Sequence, residues 1–242
     1  MIRIALISDI HANLVALRAV LGDIQRIGVD QIVCLGDVVD LGPQPNAVIE
    51  IVAKLGCRCI MGNHDEFMLD PALVHGYSQS PPLVASADWA RSRLSGGELE
   101  FLRGFERACE IALDGIGTLY VFHGSPRSHT ENILATTPPD SLDELLDGRM
   151  ASVMAGGHTH IQMLRQHHGC LLVNPGSVGL PFQDYVHGGS PTILAHAEYA
   201  IVEAGDTVEV RLRRVPLDRD ELRRAQIDSE HPLRDFLLQQ YS

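Results

Sequence analysis

The chain has no apolar run approaching the roughly 18 residues that cross a membrane. Its first ten residues, MIRIALISDI, are apolar but lack a basic n-region and a small-residue cleavage site. They read as a first strand, not a signal peptide. Cysteine is sparse: five residues, an odd number, which excludes a disulfide framework and points to a reducing cytosol. Cys57 and Cys59 have no second pair to complete a metal site, so they read as two small residues on one face of a buried strand. Basic residues are few, 19 against 31 acidic, for a net charge of −12. That balance argues against a sequence-independent nucleic-acid binder, which needs many cationic phosphate contacts. It does not exclude a phosphate substrate at a site that reverses the field locally. There is no internal repeat, no low-complexity stretch and no linker long enough to divide the chain, so residues 1–242 are expected to form one domain.

What is present suits a globular α/β protein, with 45% hydrophobic and 21% charged residues. Residues 2–9 read as a buried strand and 13–27 as a helix, with Asn13 as N-cap. Strand 30–37, helix 45–55 with Pro45 in its first turn, and strand 58–62 complete a βαβαβ rhythm. This predicts parallel strands joined by right-handed crossovers. Residues 66–115 break the rhythm and read as a helical and loop insertion, with helices over 85–94 and 96–108. Strands resume over 118–124, 151–158, 169–176, 191–205 and 206–217. The last four have short connections, which predicts a more antiparallel second sheet. Two helices are expected after residue 217.

Five of the expected strands end in residues that can bind metal. SDIH supplies Asp9 and His11; GD supplies Asp37; GNHD supplies Asn63 and His64; FHG supplies His123; GGHTH supplies His158 and His160. Taken singly, each has an ordinary reading as a turn residue or a solvated histidine; Gly62-Asn63 in particular reads as a turn. Together, in order and at strand ends, they would meet in the crevice where open α/β sheets bind ligands. Imidazole with carboxylate suits divalent transition metals, and the lack of thiolate speaks against a structural zinc site. A carboxylate has two oxygens and can bridge two ions. Asn63 offers a neutral oxygen that leaves the metal charge uncancelled. Two divalent ions less two carboxylates leave about +2, a focused cation suited to a phosphate oxyanion.

The ordered set Asp9-Ile10-His11, Gly36-Asp37 with Asp40, Gly62-Asn63-His64-Asp65, His123-Gly124 and Gly157-His158-Thr159-His160 resembles the calcineurin-like metallophosphoesterases. The resemblance runs to about residue 182, through NPGSVGLP (174–181), similar to the compact bacterial and archaeal phosphodiesterase-like branch. It implies a four-layer α/β/β/α sandwich of two mixed sheets flanked by helices. It implies two divalent ions, manganese foremost, with iron, zinc, nickel or cobalt as alternatives. Asp9, His11 and His160 would hold the first ion. Asn63, His123 and His158 would hold the second, and Asp37 would bridge them. His64 would protonate the leaving group, Asp65 would orient His64, and Asp40 would support the bridging loop. The implied reaction is in-line attack on a phosphodiester by a hydroxide between the metals.

Arg127, four residues after His123, is a candidate clamp for a phosphate oxygen; His129 is a weaker candidate. His75, His167, His168, His187, His196 and His231 are expected to be structural or solvated, with His167-His168 at a hairpin tip. The expected partner is a small or mid-sized phosphoester, with no membrane or nucleic-acid partner; a homo-oligomer is compatible with the sequence. Hydrolysis of a phosphomonoester, a nucleoside polyphosphate or a phosphoprotein would use the same residues. A non-catalytic scaffold of this fold is the reading from another class, and a general acid at His64 has no use in it. A nuclease would need a basic stripe that is not readable here.

Overall fold

A computed structural model describes residues 1–242 except Asp114, Val186 and His187. In chain order the described elements begin with β1 (Ile2–Ile7), α1 (Leu14–Ile27), β2 (Gln31–Cys34), α2 (Pro45–Leu55) and β3 (Arg58–Cys59). Helices α3 (Asn63–Leu69), α4 (Ala72–Tyr77), α5 (Pro81–Arg93) and α6 (Gly96–Arg103) follow. Then come β4 (Cys109–Ala112), β5 (Thr118–Val121), α7 (Pro139–Leu146), β6 (Val153–Ala155), β7 (Met163–His167) and β8 (Cys170–Asn174). The chain closes with β9 (His196–Ala204), β10 (Val208–Pro216), α8 (Arg219–Ile227) and α9 (Arg234–Gln240).

The strands form two five-stranded sheets, in the orders β10-β9-β1-β2-β3 and β4-β5-β6-β8-β7. In the first, β1, β2 and β3 are parallel. In the second, β5, β6 and β8 are parallel, with β4 and β7 antiparallel at the edges. The alternation of side chains explains why the central strands read as continuous apolar runs. Ile4 and Leu6 of β1 face the second sheet, where Leu119, Val121, Val153 and Ala155 meet them. Ala5 and Ile7 face the other way, onto α1 and α2. Tyr120 and Met154 of the second sheet turn outward onto Leu142 and Leu146 of α7. The result is helix, sheet, sheet, helix, as expected.

The helix signals held where capping chemistry was explicit. Asn13 accepts the Ala16 N–H at 3.0 Å and starts α1, and Pro45 opens α2. The strand assignment needs one correction. Residues 191–217 do not extend the second sheet; β9 pairs antiparallel with β1, Ile2 opposite Ala204, and β10 pairs with β9. The two strands before them, β6 and β8, are parallel and stay in the second sheet. Segment 174–181 makes the transfer: Val178 and Gly179 donate backbone hydrogen bonds to Ser8 and Asp9, drawing the chain across to the end of β1. Strands β4 and β7 and helices α3, α4 and α7 are additions to the sequence reading.

Candidate metal centre

The ligand-type residues follow parallel strands by two to five positions; Asn63 opens α3, and most of the others lie in loops whose backbone is bent into an unusual conformation. Asp9, His11, Asp37, His158 and His160 all have positive φ, as do Ala12, Asp40 and Leu41. The left-handed region costs an ordinary residue about 1 kcal/mol or more, and such residues cluster at functional sites. The loops are also locked to one another. Asp9, His11 and Ala12 donate to the carbonyls of Gly36, Asp37 and Val38 at 2.9–3.0 Å. Ser177 Oγ donates to the Asp9 carbonyl at 2.7 Å, and Asn174 donates to the Gly157 carbonyl at 2.7 Å. Asn174 and Ser177 are thus the working residues of NPGSVGLP, holding two ligand loops from behind.

Two buried groups of ligand atoms result, each with all atoms within 4.8 Å of one another: Asp9, His11 and His160, and Asp37, His123 and His158. His160 Nε2 lies 3.0 Å from His11 Nε2 and 3.4 Å from Asp9 Oδ1. His123 Nε2 lies 3.2 Å from Asn63 Oδ1 and 3.3 Å from Asp37 Oδ2. Ligands about 2.0–2.2 Å from a shared ion take such spacings. Asp37 Oδ2 is also 3.7 Å from His11 Nε2, so one oxygen faces both groups. The other, Oδ1, accepts the His64 backbone N–H at 2.8 Å. The bridge expected from two carboxylate oxygens is therefore available through one.

The orientation of the rings fits a cation. His123 Nδ1–H donates to the Leu35 carbonyl and His160 Nδ1–H to the Leu180 carbonyl, each at 2.7 Å. Both Nε2 atoms therefore point into the site. Asn63 Nδ2 and His11 Nδ1 are buried without hydrogen-bond partners, so the polar groups are not arranged to satisfy one another. Burial pushes His11 and His158 down to about 3, leaving both neutral and able to ligate. Burial opposes charge on His123 too, but the Asp37 carboxylate lifts it to about 9. Asp37 itself is held well below the carboxylate range, because His123, His64 and His11 outweigh its burial.

His64 stands outside both groups, its ring 5.1 Å from that of His11. The GNHD stretch is not a chain-reversing turn: Gly62 precedes α3, and Asn63 and His64 lie in its first turn. The supporting carboxylates are exchanged relative to the sequence expectation. Asp40, not Asp65, orients His64, accepting Nδ1–H on Oδ2 at 2.7 Å. Asp65 instead accepts the backbone N–H groups of Asp37 at 2.8 Å, Val38 at 2.9 Å and Gly62 at 3.1 Å, bracing the bridging loop. Burial opposes charge on His64, but Asp37 and Asp40 outweigh it and raise its pKa.

Tyr77 of α4 is exposed beside the site, its ring 6.1 Å from His64, 6.4 Å from His158 and 5.4 Å from Phe67. No motif announced it. Arg127 is not brought to the cluster; its guanidinium is engaged by Glu131, with Nε 2.9 Å from Oε2. His129 meets Glu66 at 3.3 Å. His167 and His168 do sit at the tip of the β7–β8 hairpin, where His167 Nε2–H donates to Asp143 at 2.6 Å. His187 lies outside the described residues. Cys57 and Cys59 lie side by side, their sulfurs 3.9 Å apart. No helix among the described residues is long and apolar enough to cross a membrane.

Residues 2–211 match the calcineurin-like phosphoesterase superfamily domain. The uncharacterized protein MJ0912 of Methanocaldococcus jannaschii is 31% identical over 213 residues, spanning 82% of this chain and 84% of its own. A metallophosphoesterase from Sphaerobacter thermophilus superposes with a TM-score of 0.76 at 28% identity, over 99% of this chain and 98% of its own. The hypothetical protein PH1004 from Pyrococcus horikoshii OT3 superposes with a TM-score of 0.82 at 20% identity, over 99% and 97% of the two chains, a likeness of fold.

Proposed function

Because the chain belongs to the calcineurin-like phosphoesterase superfamily, we propose that it is a metal-dependent phosphodiesterase with His64 as general acid. The observation that carries this reading is Asp37, whose Oδ2 faces both histidine groups while its Oδ1 holds the backbone of His64. One carboxylate thus couples both cation positions to the acid. Asp9, His11 and His160 would hold one divalent ion, and Asn63, His123 and His158 the other, with Asp37 between them. Such ions, manganese foremost, supply Lewis acidity towards phosphoryl oxygens and acidify a water to a nucleophile near neutral pH.

The chain's own contribution is placement and a proton. Asp40 fixes the His64 ring with Nδ1–H directed into the protein, which turns Nε2 to the cleft. The Asp37 and Asp40 carboxylates near His64 favour its protonated form, the form that would protonate a departing alkoxide at Nε2. Arg127 would reach a phosphate oxygen only by leaving Glu131. A phosphomonoester would use the same acid and the same ligands; the leaving group's chemistry, not its charge, is what His64 serves.

The test is His64→Ala, reconstituted with manganese and assayed on an alkyl phosphodiester and a nitrophenyl phosphodiester. Metal content is expected to stay at the wild-type value. The alkyl rate should fall by about 10²–10⁴-fold, and the nitrophenyl rate far less, because nitrophenolate leaves without a proton. Equal losses on both substrates, or loss of metal, would remove His64 from this role.

A further inference from the structure

The support of His64 does not end at Asp40. Asp40 Oδ1 accepts from Ser86 Oγ at 2.5 Å and from the Leu41 N–H at 2.6 Å. Ser86, in α5, meets His231 Nε2 at 3.0 Å. His231 lies between α8 and α9, beyond residue 211 where the match to the family domain ends. Asp40, Ser86 and His231 are all buried, at 0%, 0% and 3% exposure. Given these contacts, we propose that Ser86 and His231 are positioning residues for the acid, and that the C-terminal segment of this chain is part of the acid's support. The inference rests on the role proposed for His64.

The proton directions along the chain are forced. An ionised carboxylate only accepts, so the single Ser86 proton must go to Asp40. Ser86 Oγ is then left to accept, which requires the proton of His231 on Nε2. The remaining nitrogen, His231 Nδ1, is buried without a hydrogen-bond partner, as a bare lone pair should be. Burial holds His231 down to about 4, so it is neutral. The line His231→Ser86→Asp40←His64 therefore has one hydrogen-bond pattern and no degenerate alternative. It fixes which oxygen of Asp40 faces His64, and hence the direction of Nε2.

Anchoring the C-terminal segment does not require these bonds. Leu222 of α8 and Leu237 of α9, with Tyr241, pack with Leu41 and Leu180 in a buried apolar cluster. The Trp89 ring, one turn along α5 from Ser86, stands edge-on to His231 at 4.9 Å. Removing the polar link should leave the segment docked. A role in acid positioning and a role in docking therefore separate by experiment.

The variants are Ser86→Ala and His231→Phe, which remove a donor, and His231→Gln, which keeps an N–H at similar reach. In manganese-loaded protein, Ser86→Ala and His231→Phe should retain metal and lower turnover of the alkyl phosphodiester by about 10–100-fold, the usual cost of losing an outer hydrogen-bond partner. The nitrophenyl rate should fall less, and His231→Gln should recover most of the alkyl rate. In metal-free, nitrogen-15-labelled protein, both donor-deleting variants should speed exchange of the His64 Nδ1 proton by about tenfold or more, and wild-type His231 should show its Nε2–H tautomer. Equal losses on both substrates, or no loss, would overturn the proposal, as would an unchanged His64 proton. If His64→Ala itself shows no leaving-group dependence, the general-acid reading fails. Faster proton exchange would then still establish the strut, and unchanged exchange would refute it. Should one deletion fail to fold, the other gives the same readouts.

Discussion

Gly62→Ala tests how tightly the two halves of the site are joined. The backbone at Gly62 has φ −91° and ψ 168°, open to any residue, so the substitution carries no conformational penalty. Its cost is purely steric. A Cβ there would stand 2.1 Å from Asp37 Oδ1 and 2.3 Å from the Asp37 backbone nitrogen. Ordinary contact needs separation by a further ~1 Å or more. Rotating the Asp37 side chain relieves the first clash but not the second, so the loops after β2 and β3 must part. Overpacking of this kind costs about 1–3 kcal/mol, and losing the hydrogen bond between the His64 N–H and Asp37, or between Asp65 and the Asp37 N–H, adds about 1.5–3 kcal/mol. The total of about 2.5–6 kcal/mol is a large share of a net stability of about 5–15 kcal/mol. Gly22→Ala is the control: it is mid-α1 with nothing within 4 Å of the new Cβ, and should stabilise by about 0.5–1 kcal/mol. The assay is urea unfolding of metal-free protein, with metal per chain measured on reconstituted protein. A Gly62→Ala variant with wild-type stability and wild-type metal content would refute the reasoning.

Asp37→Ala should lose more metal per chain than His123→Ala, because Asp37 Oδ2 faces both ligand groups and His123 only one; elemental analysis after gel filtration decides it. Asp23 tests stability far from the site. Burial works against its charge, but the hydrogen bonds from the Tyr199 hydroxyl at 2.7 Å and from Arg213 at 2.9 Å outweigh it and hold its pKa below the ordinary value. A depressed carboxyl contributes stability above its unfolded pKa of about 3.9 and loses it as pH falls through the lower folded value. Asp23→Asn should therefore be destabilised by about 1.5–3 kcal/mol at pH 7, with the gap to wild type closing below about pH 4 in urea titrations.

The ligand-type residues were legible because each follows an apolar run and the βαβ rhythm places strand ends together. Nothing about their exchange of neighbours was legible. Asp65 is adjacent to His64 in sequence, and adjacency suggests a pair. But both lie in the first turn of α3, and adjacent helical residues do not face each other. Asp65 folds back over the helix start to accept the Gly62 N–H, while Asp40, 24 residues before His64, meets the ring. Ser86 and His231 were unreadable for the same reason at longer range, 46 and 191 residues from Asp40, since hydrogen bonding across such separations leaves no local periodicity. The misplacement of β9 and β10 has a different origin. Short connections usually join neighbouring strands, but 174–181 is bound at Ser8 and Asp9 and changes sheets.

Most of the ligand-type residues and His64 are held by different parts of the molecule, joined by Asn63, which precedes His64 at the start of α3, and by Asp37, which accepts the His64 backbone N–H. Asp9, His11, Asp37, His123, His158 and His160 follow parallel strands whose residues are buried between the two sheets or beneath the flanking helices. His64 sits on α3, a helix of seven residues that packs on α4, α5 and α6. Its buttress, Ser86, and the aromatic ring beside it, Tyr77, come from that same run of helices. Changes in these helices therefore act on the ring of His64 and on its surroundings at once. Changes in the sheets act on the ligand-type residues at the strand ends. Substitutions at Tyr77 also alter the surroundings of His64, because the two rings stand edge-on with centroids 6.1 Å apart. Asn63, adjacent to His64 on α3, and Asp37, which accepts the His64 backbone N–H, are the points at which a shift of that helix reaches the ligand-type residues.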